Sequence, residues 1–61
     1  MSVREAKELA GIRQALRDHL TAQDADGAEP ALARLRDFAS GDDELSAEYE
    51  RWAFRFELLA A

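Results

Sequence analysis

The sequence predicts an all-α fold, a small three-helix hairpin or bundle with helices at about residues 3–22, 28–39 and 43–60. Alanine, leucine, glutamate and arginine, which are good helix formers, dominate the composition. Apolar residues recur at intervals of three and four. Turn-forming residues interrupt this pattern around residues 23–27 and 40–42. We therefore expect residues 1–61 to form a single helical domain.

The first helix has a clear start signal and one apolar stripe. Ser2 and Glu5 have the spacing of a capping box, in which each side chain satisfies a free backbone amide of the other residue. The stripe consists of Leu9, Ile12, Leu16 and Leu20. His19 lies beside it, so we expect this histidine to border the core rather than to form a pH-sensitive contact.

The second helix is predicted to begin at an aspartate and to be short. Asp26 is the expected N-cap, Glu29 its capping-box partner, and Pro30 then falls in the first turn, where its missing amide hydrogen costs nothing. The apolar face consists of Ala28, Ala31, Leu32, Leu35, Phe38 and Ala39.

The third helix carries most of the aromatic residues. Gly41 is a natural left-handed residue to end the second helix, and Asp42 or Asp43 can cap the third. The main stripe is Leu45, Tyr49, Trp52, Phe56 and Leu59. The alternation of apolar and other residues over 52–58 is also typical of a half-buried strand, but the chain offers no second strand to pair with it.

Two apolar residues of the third helix do not belong to its main stripe. Phe54 and Leu58 are one turn apart and face nearly the opposite way, whereas a surface helix usually has a single apolar face. Arg51 and Arg55 flank them, and arginine beside aromatic residues is typical of interface hot spots. We therefore predict an interface at Arg51, Phe54, Arg55 and Leu58.

The predicted core draws on all three helices: Leu9, Ile12, Leu16, Leu20, Leu32, Leu35, Phe38, Leu45, Tyr49, Trp52, Phe56 and Leu59. A chain of this size is marginally stable, and it has no cysteine for a disulfide. We expect dimerisation or docking on a partner to complete the fold, most simply a homodimer with two-fold symmetry.

The net charge of −5 is concentrated in the second half of the chain. Asp42, Asp43, Glu44 and Glu48 form an acidic cluster, for which helix capping and the helix dipole give a structural explanation. The alternative is an acidic patch that captures a basic surface. Arg13, Arg17, Arg51 and Arg55 are expected to form ion pairs with Glu48, Glu50 or Glu57. No basic stripe suited to direct nucleic-acid binding emerges.

The inventory of reactive groups favours a non-enzymatic protein. One histidine, no cysteine and three isolated glycines predict no catalytic, cofactor or metal site. The lack of a long apolar run or signal segment predicts a cytoplasmic protein without membrane contact. We expect protein–protein association through the third helix, as an adaptor, accessory subunit or small regulator. The alternative is an acidic inhibitor that mimics phosphate and blocks a basic nucleic-acid-binding protein, as in small phage or mobile-element proteins.

Overall fold

A computed structural model describes all residues, 1–61, and contains three α-helices: α1 (Val3–Thr21), α2 (Ala25–Ala39) and α3 (Asp43–Ala60). The all-α prediction is confirmed, and residues 52–58 are helical rather than extended. The first and third helices match their predicted bounds within one residue. The second begins three residues earlier than predicted. No helix is long and apolar enough to cross a membrane.

The start of α1 is the predicted capping box. The amide of Glu5 donates to Ser2 Oγ at 3.1 Å, and the amide of Ser2 donates to Glu5 Oε1 at 3.3 Å. The hydrogen bond from the Ser2 backbone is the main reason that the pKa of Glu5 is lowered from 4.5. Local sequence is sufficient here because both partners lie within one turn.

The start of α2 corrects the prediction. Asp24, not Asp26, is the N-cap, and its Oδ1 accepts a hydrogen bond of 3.0 Å from the amide of Gly27. Gln23, with a φ of 59°, reverses the chain immediately after α1, so the next residue already stands at a helix start. Pro30 consequently lies in the second turn of α2 instead of the first. Pro30 has no amide hydrogen to donate to the carbonyl of Asp26, which is an exposed residue.

The turn between α2 and α3 follows the prediction. Gly41 has a φ of 79°, in the left-handed region that favours glycine. Asp42 caps α3, its Oδ1 accepting a 3.0 Å hydrogen bond from the amide of Leu45. Ser46 Oγ donates to the carbonyl of Ala39 at 3.0 Å, which ties the first turn of α3 to the end of α2.

The core lies on both sides of α2, which packs against α1 and α3, whereas α1 and α3 contact each other far less. Leu16 and Leu35 are completely buried. The ten buried residues are Leu9, Ile12, Leu16, Leu20, Ala28, Ala31, Leu32, Leu35, Ala39 and Leu45. All seven aliphatic residues of the predicted core outside the C-terminal half of α3 are among them, together with three alanines of α2.

The aromatic residues of the predicted core, together with Leu59, are only half-buried. Five residues pack against the core without being enclosed by it: Phe38, Tyr49, Trp52, Phe56 and Leu59. In α3 only Leu45 is buried. The physical reason is the arrangement of the helices, since α3 is covered by α2 along one side and has little contact with α1. The aromatic end of α3 therefore forms an edge of the molecule.

Candidate protein-interaction surface on α3

Phe54 and Leu58 lie on the side of α3 that faces away from the core. Their exposures are 62% and 64%, and the only other large exposed apolar residues are Met1 and Val3 at the other end of the chain. At 3.6 residues per turn, residues four apart are neighbours on one helix face. Phe54 and Leu58 thus form one continuous apolar patch, which we call the outer stripe.

Both arginines of the predicted interface are exposed on α3, but they do not have the same surroundings. The guanidinium of Arg55 lies 4.9 Å from the centroid of the Trp52 ring, within the range of a cation–π contact. Arg55 therefore lies against Trp52, whose indole nitrogen donates to Glu48. Arg51 lies one turn earlier on the same side and forms no ion pair within the chain. The predicted interface residues thus share the exposed side of α3, with Arg55 at its border with Trp52.

Glu48 connects α3 to α1. Its two carboxylate oxygens accept hydrogen bonds of 2.7 Å each from Nε and Nη2 of Arg13. Trp52 Nε1 also donates to Glu48 Oε2, at 3.2 Å. The charge pattern predicts an ion pair between Arg13 and Glu48 but not the contact between Trp52 and Glu48. The spacing of four residues between Glu48 and Trp52 was the available signal.

These contacts set the ionisation of the pair. The hydrogen bonds from Arg13 lower the pKa of Glu48 from 4.5, and those from Trp52 and the charge of Arg51 act in the same direction, against the opposing effect of burial. The hydrogen bonds to Glu48 raise the pKa of Arg13. Both groups are therefore charged at neutral pH, and each neutralises the other.

The structure divides the predicted acidic patch. Asp42 uses its carboxylate to cap α3, while Asp43 and Glu44 are exposed and form no ion pair within the chain. The Glu48 side chain is only 18% exposed and is bound to Arg13. The free acidic surface at this end of α3 is thus smaller than the sequence pattern indicated, and Glu48 is not part of it.

A second polar contact lies at the α1–α2 turn. The His19 side chain is 40% exposed, and its Nδ1 lies 3.0 Å from Asp24 Oδ2, a contact that the sequence prediction did not include. The pKa of Asp24 is lowered, mainly by the amide of Gly27 and secondarily by His19. This pair joins the end of α1 to the start of α2, which is a structural role.

The remaining surface features are the other acidic side chains and the grooves. No group of three histidine, aspartate or glutamate side chains is placed to hold a metal ion. The concave regions are open surface grooves, one of them lined by Glu48, Arg51, Trp52 and Arg55. Comparisons with protein families, curated proteins and solved structures found no match.

Proposed function

We propose that this chain is a non-enzymatic interaction protein, an adaptor, accessory subunit or small regulator, which binds a protein partner through the outer stripe and its flanking arginines. The observation that carries the proposal is the exposure of Phe54 and Leu58, 62% and 64%, on a regular helix side that the core does not use. Apolar side chains in this position add little to the stability of the folded chain. Their benefit comes when a partner covers them.

The attachment of α3 to the rest of the molecule does not depend on the outer stripe. Leu45 is buried, and the half-buried side chains of Tyr49, Trp52 and Phe56 pack against the core from the opposite side of the helix. A rigid helix with an uncovered apolar face suits recognition by helix packing, because little conformational entropy is lost on binding. Arg51 and Arg55 add the charged border that is common at interface hot spots.

The test is affinity capture from an extract of the source organism, comparing the wild-type chain with the double variant Phe54→Gln/Leu58→Gln. Glutamine is a good helix former without charge, so the change removes apolar surface and keeps the helix. Val3→Gln is the matched control, because Val3 is also large, apolar and exposed, at 76%, but lies on α1. Proteins retained by wild type and control and lost by the double variant support the proposal. The same proteins retained by all three chains would overturn it.

The phosphate-mimic alternative predicts a different response. Its binding would weaken steeply with salt and would be lost in Asp43→Lys/Glu44→Lys, which reverses exposed charges. Asp42 is left unchanged because it caps α3, and its replacement would disturb the helix. Apolar docking on the outer stripe predicts weak salt dependence and little effect of this charge reversal.

A further inference from the structure

The charges that border the outer stripe are separated by sign. At 100° per residue, Glu50 and Glu57 lie about 40–60° to one side of Phe54 on the helix surface. Arg51 and Arg55 lie about 60–100° to the other side, beyond Leu58. All four charged residues are exposed. The outer stripe therefore has an acidic flank and a basic flank.

None of these four charges has an ion-pair partner in its own chain. The ion pairs of the molecule join Arg13 to Glu48, His19 to Asp24 and Arg34 to Glu8. Arg55 rests over the ring of Trp52, which holds the guanidinium in place but leaves its charge uncompensated. The apolar stripe is thus uncovered and neither flank forms a close ion pair within the monomer, where the charge of Arg51 acts on Glu48 only from a longer distance.

We propose that the outer stripe pairs with a second copy of this chain, with the two α3 helices side by side and parallel around a two-fold axis. This inference rests on the function proposed above and names the partner. In a parallel two-fold pair the opposite flanks of the two helices meet, whereas in an antiparallel pair the same flanks meet. Only the parallel arrangement therefore brings the acidic flank of each copy to the basic flank of the other.

The register follows from the spacing of the outer stripe. Phe54 and Leu58, four residues apart, take the d and a positions of a heptad, which places Glu50 at g and Arg55 at the following e position. In parallel pairs a g residue meets the e residue five positions later in the other helix. Glu50 of each copy therefore pairs with Arg55 of the other, giving two identical ion pairs beside stacked Phe54 and Leu58 layers.

The rest of the fold permits this pairing and limits its strength. Buried Leu45 lies on the opposite side of α3, so the core of each copy is directed away from the axis. α1 reaches α3 beside the basic flank, where Arg13 binds Glu48 at an e position of the preceding heptad. Arg51 takes an a position, where it faces Arg51 of the other copy instead of an acidic residue, and a polar residue at such a position lowers stability. Only two apolar layers, Phe54 and Leu58, lie close to the axis. These features point to a weak, reversible dimer.

The test measures the solution mass of the purified chain by sedimentation equilibrium, at concentrations up to about 1 mM, where even a binding free energy of only ~4 kcal/mol produces a dimer. Glu50→Arg places an arginine opposite Arg55 of the other copy at each contact. Arg55→Glu places a glutamate opposite Glu50 of the other copy. We expect each variant alone to raise the dissociation constant about tenfold, from like-charge contacts at two symmetric sites. An equimolar mixture of the two variants restores opposite charges at both contacts and should dimerise like wild type.

Two controls carry the same charge changes on α2, Glu29→Arg and Arg36→Glu, both at exposed positions. They should leave the dissociation constant unchanged. A wild-type chain that stays monomeric throughout the concentration range overturns self-association. If the wild-type chain dimerises but the equimolar mixture of variants associates no more strongly than either variant alone, the parallel arrangement is wrong. Capture of another protein that still depends on the outer stripe, with a monomeric chain, would leave the proposed function standing and remove only this inference.

Discussion

The ion pair between Arg13 and Glu48 offers a direct test of how α3 is held. It is a bidentate contact, with both bonds at 2.7 Å, and it joins two helices that otherwise contact each other little. The perturbation is a double-mutant cycle of Arg13→Ala, Glu48→Ala and the combined variant. The cycle isolates the coupling between the two side chains from the other effects of each substitution.

The exposure of the two side chains sets the expected magnitude. Hydrogen bonds to charged groups contribute about 1.5–3 kcal/mol when sheltered, whereas exposed ion pairs contribute about 0.2–1 kcal/mol. The Glu48 side chain is 18% exposed and the Arg13 side chain 39%, so solvent screens one end of the pair. We expect a coupling free energy of about 1–2 kcal/mol. A domain of this length has a total unfolding free energy of ~3–9 kcal/mol, so the pair is a sizeable part of it.

The assay is urea unfolding at neutral pH, monitored by far-ultraviolet circular dichroism. Trp52 fluorescence serves as a second, local probe, because its indole nitrogen donates to Glu48. Glu48→Ala is expected to cost more than Arg13→Ala, since it removes the partner of both the arginine and the tryptophan. A coupling well below ~1 kcal/mol would refute the reasoning, since about 0.2–1 kcal/mol is the level of an ordinary exposed pair.

Acidification gives an independent check of the same contact. The folded-state pKa of Glu48 is lowered from 4.5, so its stabilisation is present above the unfolded-state pKa and is lost as pH falls through the folded-state pKa. We expect the urea midpoint of wild type to decrease when the pH is lowered below about 4.5. The midpoint of Glu48→Gln should decrease less. An equal fall in both chains would contradict the assigned role. Asp24 and Glu5, whose pKa values are also lowered, account for the acid sensitivity that remains.

The remaining predictions concern the core, the glycines and the outer stripe, all measured by urea unfolding in dilute solution. Leu35→Ala removes a completely buried side chain and should cost about 2–5 kcal/mol, a large share of the total; a loss below ~1 kcal/mol would contradict the assigned core. Gly41→Ala should cost about 1 kcal/mol because its φ of 79° is strained for alanine. Gly11→Ala should instead stabilise the folded chain by up to ~1 kcal/mol. Gly11 lies within α1, where alanine is the better helix former, and a Cβ added there has no neighbouring atom within 4 Å. Phe54→Gln/Leu58→Gln should change the unfolding free energy by less than ~1 kcal/mol, and a larger loss would place these side chains in the fold rather than in an interface.

Features that depend on neighbours in sequence were predictable. The capping box at Ser2, the left-handed Gly41 and the cap at Asp42 each involve residues within one turn of one another. The division of α3 into a core-facing side and an outer stripe follows from helix periodicity alone, and the exposure of Phe54 and Leu58 agrees with it.

The residue at which α2 begins was harder to predict from the sequence. Asp24 and Asp26 are both acceptable N-caps by residue type, and the capping-box spacing to Glu29 favoured the second. The start of α2 depends on Gln23, which reverses the chain by adopting a positive φ. A positive φ is uncommon for residues other than glycine, so the sequence does not predict it here. Asp24 then lies close to both Gly27 and His19 and forms hydrogen bonds with each.

By itself, the sequence determined that the chain is helical, where two of its three helices begin, and which side of each helix is apolar, because helix propensity, capping and periodicity are local properties. The tertiary structure decided how far each apolar side is covered. α2 lies between α1 and α3, so Leu16 and Leu35 are enclosed while Trp52 and Phe56 remain half-buried at an edge. The tertiary structure also placed Glu48 against Arg13, thirty-five positions away in the chain. Burial and charge pairing depend on which helices meet, and that depends on turn geometry and on packing over long sequence distances.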